Sequence, residues 1–145
     1  MKHSVEVAKL RRELPDILDP APSAVGLEYV ERISSAFDYE AAAFTKDDAW
    51  HDLDLSSIVT DTDAVLVCIK MLWAATAAGK FFGLRKDGVT YTYDYYGLVT
   101  QAASIQNEDN FEVPLGTGRV IEYNLPTAGT STSNLIIQGW WKPAA

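Results

Sequence analysis

Val89-Thr90-Tyr91-Thr92-Tyr93-Asp94-Tyr95 alternates large apolar and polar side chains along its length. Successive side chains of a strand point to opposite faces, so this period reads as a half-buried strand with Val89, Tyr91, Tyr93 and Tyr95 on one face. Just before it, Lys86-Asp87-Gly88 supplies the Asp-Gly pair that tolerates positive φ in a tight turn, and Phe81–Val89 is expected to be a hairpin. Working outward, the same alternation recurs in Trp50-His51-Asp52-Leu53-Asp54-Leu55, in Phe111-Glu112-Val113-Pro114-Leu115 and in Ile121-Glu122-Tyr123-Asn124-Leu125. Gly116-Thr117-Gly118 is expected to turn Phe111–Leu115 back into Arg119–Leu125, and Pro126–Asn134 to form a polar loop before the last strand. Pro114 confines its strand to an edge or a bulge, because proline cannot donate to a ladder.

Ala64–Trp73 and Leu135-Ile136-Ile137 differ in being apolar on both faces. Periodicity alone would allow a helix, but β-branched content and flanking turn residues favour strands, either central in a sandwich or covered by another subunit. Turn signals at short intervals between such runs are what a sandwich or barrel produces. The expected fold class is therefore mainly β, an antiparallel β-sandwich.

The first 45 residues have another texture. Val7, Leu10 and Leu14 fall at helical spacing before Pro15 stops the run, and Tyr29, Ile33 and Phe37 repeat the spacing within Leu27–Phe37. Between them, a proline-rich stretch containing Ile17 and Leu18 reads as an extended arm. Residues 1–45 are thus expected to be a helix–arm–helix anchoring segment and residues 46–145 the β-sandwich domain. The arm either folds back on the sandwich or lies on a partner.

At 145 residues with 48% hydrophobic content, the chain suits one domain and an appendage. The net charge of −8, with Arg11-Arg12 and Arg85-Lys86 as its adjacent basic pairs, offers no stripe for nucleic-acid phosphates. No run approaches the roughly 18 apolar residues of a membrane span, and the charged start is unlike a secretory signal, so a soluble protein made in a cytoplasm is expected.

Catalytic chemistry is sparse. Cys68, the only cysteine, lies within an apolar strand and is expected to be buried. Of the histidines, His3 and His51, His51 alone has carboxylates close by, yet alternation sends Asp52 and Asp54 to the opposite face. Phosphate loop, dinucleotide fingerprint and nucleophile elbow are missing. Acidic residues gather at Asp47, Asp48, Asp52, Asp54, Asp61 and Asp63, where calcium near Asp61 and Asp63 is one option and solvated strand ends the other. No catalytic residue, metal ligand or cofactor site is therefore assigned. Tyr91, Tyr93, Tyr95, Tyr96, Trp140 and Trp141 could form a sugar-stacking platform; the regular alternation instead favours a core stripe or a subunit interface. Trp140-Trp141 must send one indole to each face of the last strand, one inward and the other toward a neighbour or the N-terminal arm.

Trp50–Val59, Ala64–Val67, Phe82–Gly88, Val120–Tyr123 and Leu135–Trp140 together resemble a β-sandwich module of tailed-bacteriophage structural proteins, found in capsid decoration, head-fibre and tail-fibre proteins. The resemblance spans Trp50 to Trp141 and implies a jelly-roll-like sandwich, a non-enzymatic virion role and a homotrimer. It also implies a major capsid or tail protein of the same virion as partner, while charge and run length separately argue against nucleic acid and membrane as partners. On this reading Val7, Leu10, Leu14, Ile17 and Leu18 dock the chain, and Tyr91, Tyr93 and Trp141 pack between subunits. The alternative is a receptor module at a fibre tip that recognises host-surface glycans, using Trp140 or Trp141 with Asp61 and Asp63.

Overall fold

The computed structural model describes residues 26–145. The docking residues Val7, Leu10, Leu14, Ile17 and Leu18 lie outside the described residues. Among the described residues eight strands follow in chain order: β1 Leu27–Glu31, β2 Trp50–Asp54, β3 Leu66–Ala75, β4 Phe81–Lys86, β5 Tyr96–Val99, β6 Asn107–Pro114, β7 Val120–Asn124 and β8 Thr130–Pro143. They form two four-stranded sheets, sheet A in the order β1-β8-β3-β6 and sheet B in the order β2-β7-β4-β5. Every pairing is antiparallel.

The pairings nest. β4 pairs with β5, β3 with β6, β2 with β7 and β1 with β8. The described chain is thus one long antiparallel ribbon, doubled back at the β4–β5 connection and rolled so that its successive strand pairs fall in alternate sheets. Rolling buries one face of each sheet. Val67, Ile69, Met71 and Trp73 of β3, Leu135 and Ile137 of β8, Phe82 and Leu84 of β4 and Ile121 of β7 are all fully buried in one cluster. At about 25 cal/mol per Å² of apolar surface, such side chains supply the main driving force for closing the sandwich.

Several expectations hold at the level of single strands. β2, β6 and β7 occupy the runs read from alternation and β3 and β8 those apolar on both faces, although β8 starts at Thr130, inside the stretch expected to be a polar loop; β3 is interior to its sheet, and Pro114 ends an edge strand. The helix expected over Leu27–Phe37 is not formed: Leu27–Glu31 is strand β1, and an irregular segment follows. Its apolar spacing serves no common face, since Ile33 is 91% exposed while Tyr29 lies against Trp141. This part of the chain belongs physically to the sandwich, with β1 paired to β8 and Phe44 in the core.

The alternating run Val89–Tyr95 is not a strand either. β4 pairs with β5 through Phe81↔Val99 and Leu84↔Tyr96, leaving Asp87–Tyr95 as the connecting loop, with Tyr91 76% and Tyr93 91% exposed. The Asp-Gly turn is real, with the Val89 N–H donating to the Lys86 carbonyl at 3.3 Å and Gly88 at φ 81°. A second turn closes at once, the Asp94 N–H donating to the Tyr91 carbonyl at 3.4 Å, so the run has no strand partner. Gly116–Gly118 likewise does not close a hairpin: β6 lies in sheet A and β7 in sheet B, so this turn carries the chain between sheets. Finally, from Leu66 to Trp73 β3 is buried on one face only; Leu66, Cys68, Lys70 and Leu72 on the other are half-covered.

Candidate functional site

The outer face of sheet A leaves apolar side chains partly uncovered. Trp141 of β8 stands opposite Tyr29 of β1 and Leu66 of β3, and the Tyr29 and Trp141 rings are 5.1 Å apart at 48°. With Cys68 and Phe111 they line a cleft of about 490 Å³. Cys68 is half-buried here rather than in the core, and its sulfur lies 3.8 Å from Glu112 Oε1. Burial first, and the neighbouring Glu112 charge second, push its thiol pKa up, the opposite of what a reactive nucleophile needs.

The face owes its shape to an irregularity in β8. Cys68 pairs with Gly139 but Ile69 with Ile137, so Gln138 is an extra residue, a β-bulge that bends the strand. Tyr29 leans across this point and donates its hydroxyl hydrogen to the Gln138 carbonyl at 3.1 Å. Only glycine fits beneath it, because a Cβ at Gly139 would collide with Tyr29 Oη and the Val30 carbonyl. From the loop after β1, Arg32 donates to both oxygens of Asp38 at 2.6 and 2.7 Å and to the Ile137 carbonyl at 3.0 Å. Asp38 in turn accepts the Ile137 N–H at 2.7 Å. The groups freed by the bulge are thereby satisfied, as burial requires.

At the rim, the two tryptophans separate as alternation requires. Trp140 is buried and donates its indole N–H to Asp61 Oδ2 at 2.7 Å, while Lys142 reaches Asp61 Oδ1 and Glu28 Oε1, each at 3.3 Å. The indole hydrogen bond, helped by Lys142, holds the Asp61 carboxyl below its ordinary pKa. Trp140 and Asp61 are thus spent on each other, and the sugar site suggested for them with Asp63 is not assembled. The same contacts leave Asp61 poorly placed for calcium.

Sheet B has a different outer face. Arg85 of β4 binds Glu122 of β7 at 2.8 Å and lies 4.1 Å from the centre of the Trp50 ring. Among the described residues, carboxylates converge at Asp52, Asp87 and Glu122, with Glu122 already paired to Arg85. His51 Nε2 meets Asp47 Oδ1 at 2.7 Å, a hydrogen bond that lowers the Asp47 pKa, and its ring lies beside Tyr123. No second base or nucleophile completes that pair in the described residues. Tyr91 joins Trp50, Phe81 and Tyr95 on this face, so the structure does not bring Tyr91 and Tyr93 together with Trp141, which belongs to the opposite sheet. Sequence reasoning missed the Arg32–Asp38 clamp and the Trp50–Arg85 contact, because neither residue pair is joined by a local pattern.

No protein-family model and no curated protein matches the chain. Among solved structures it is similar to the coat protein of Tobacco streak virus. One crystal form gives a TM-score of 0.37 at 16% identity, covering 86% of this chain and 91% of that chain. A structure of the coat protein dimer gives 0.40 at 16% identity, covering 82% and 87%. No helix among the described residues is long and apolar enough to cross a membrane.

Proposed function

We propose that the chain is a non-enzymatic virion structural protein, of the decoration, cement or short head-fibre kind found in tailed bacteriophages. The observation that carries the reading is the nested pairing of β1 with β8, β2 with β7, β3 with β6 and β4 with β5. It supports a jelly roll, the double-sheet architecture recurrent in viral capsid domains. The half-covered apolar face around Trp141 and Tyr29 supports self-association. A strand such as β3, apolar on both faces in sequence but buried on one, is accounted for when the outer face meets another subunit.

On this reading residues 1–25 dock on the major capsid or tail protein through Val7, Leu10, Leu14, Ile17 and Leu18, and copies associate as a homotrimer through the Trp141 face. Tyr91 and Tyr93 lie on the β4–β5 loop beside the other sheet, away from that contact. A standard interface of about 1,600 Å² suffices for stable attachment. The test is light scattering and co-sedimentation with purified shells, on the full chain and on residues 26–145. A trimer that survives truncation but no longer binds shells is expected; a monomer in both forms, or shell binding without residues 1–25, refutes the proposal.

A further inference from the structure

Trp50, Phe81 and Tyr95 form a ring cluster on the outer face of sheet B, with centroid separations of 6.5 Å for Trp50–Phe81, 6.4 Å for Trp50–Tyr95 and 5.2 Å for Phe81–Tyr95. Bare backbone lies beneath them. Gly83 and Gly97 face each other across β4 and β5, a Cβ on Gly97 would lie 2.6 Å from Phe81 Cε2, and one on Gly83 would lie 3.0 Å from Trp50 Cη2. Facing glycines weaken a sheet and mark places where something approaches the backbone closely. Here the rings approach it, while Tyr91 remains 76% exposed at the cleft they border.

The cleft measures about 450 Å³, within the range of small-ligand sites. Its lining also limits the ligand. Arg85, the charged residue of the lining, is neutralised by Glu122 and already covers one face of Trp50, and Asp52 and Asp87, which gather at Glu122, do not line the cleft. The remaining rim, Thr90, Tyr91, Tyr95 and Asn124, offers hydroxyl and amide groups without formal charge. Apolar ring faces beside uncharged hydrogen-bonding groups match a molecule with a flat C–H face and peripheral hydroxyls. We infer that this cleft binds a neutral pyranose of a surface glycan, stacked among Tyr91, Tyr95 and Trp50. This binding activity goes beyond the virion structural role and stands independently of it.

The full chain is applied to an array of uncharged, sialylated and sulfated oligosaccharides, and the strongest neutral glycan is then titrated in solution against the chain and its variants. Binding is expected to weaken at least about tenfold in Tyr91→Ala and in Tyr95→Ala, as on truncating an aromatic anchor, and to be unchanged in Ile105→Ala, an exposed site elsewhere. Because Tyr91 lies on an exposed loop, its variant stays informative even if Tyr95→Ala fails to fold. Silence across the neutral array, binding confined to sialylated or sulfated glycans, or affinity retained in folded Tyr91→Ala would each overturn the inference. All readouts use the isolated chain, so failure here leaves the shell-binding test untouched.

Discussion

Asp38→Ala removes the carboxylate that ties the first loop to the bulge of β8. Its side chain is only 7% exposed and accepts from Arg32 twice and from the Ile137 N–H once. An orphaned buried N–H costs about 1–3 kcal/mol. Breaking a buried ion pair costs about 3–5 kcal/mol, reduced here because the Arg32 side chain is 27% exposed and regains water. The expected loss is about 3–4 kcal/mol, corresponding to roughly 10 °C in the melting temperature of a domain of this size. Urea unfolding followed by tryptophan fluorescence measures it, and an unchanged m value would show that the denatured state is unaffected. Arg32→Ala, alone and combined with Asp38→Ala, completes a double-mutant cycle, with a coupling above about 1.5 kcal/mol expected. A single-mutant loss below about 1 kcal/mol, or no coupling, would refute the view that this pair holds the bulge in place.

Gly97→Ala should destabilise the fold by about 2 kcal/mol, since its Cβ would collide with the Phe82 carbonyl as well as Phe81; a neutral urea midpoint would contradict that packing. The Asp61 pKa is lowered in the folded state, so its contribution is present above the unfolded carboxylate value of about 3.9 and is lost as pH falls through the folded value. Stability measured from pH 7 down to pH 3 should therefore fall less steeply in Asp61→Asn, and an identical slope would remove Asp61 from the acid response. The Cys68 thiol, whose pKa is raised by burial and by Glu112, should react with a disulfide reagent at pH 8 more slowly than a free cysteine and faster in Glu112→Gln; reaction at the free-thiol rate would contradict its placement.

Most strands were legible because each of those runs buries one face: Leu53, Ile69, Val113, Ile121 and Ile137 all point inward from segments chosen by alternation or apolar content. The failures share one physical cause. Alternation describes a side-chain pattern, but a strand also needs a partner for its backbone. Val89–Tyr95 has the pattern and no partner, since β4 and β5 already satisfy each other through Gly83 and Gly97. Conversely, Leu27–Glu31 has a partner in β8 that no local spacing announces, separated from it by most of the described chain. The candidate surfaces were less legible still. Arg32 meets Asp38 only around a bulge, and Trp50 meets Arg85 only across the sheet.

The misread tyrosine run bears on function as well as on fold. Were Tyr91, Tyr93 and Tyr95 a strand, one continuous aromatic stripe would be accounted for by the core. As a loop, the same residues divide: Tyr95 packs on Phe81 and Trp50, Tyr91 borders the cleft, and Tyr93 projects away. An exposed loop gains nothing in stability from large rings, because they bury little area there. Their cost in exposed apolar surface is offset only if something else covers them. The same reasoning applied to sheet A, where Tyr29 and Trp141 already shield each other on a broad face, favours a large flat partner such as another subunit. Applied to sheet B, where the rings border a small cleft with an uncharged polar rim, it favours a small ligand. The two outer faces therefore call for two kinds of partner, and a single substitution on each, Trp141→Ser and Tyr91→Ala, should separate them: the first lowers the oligomeric mass without affecting glycan binding, and the second does the reverse.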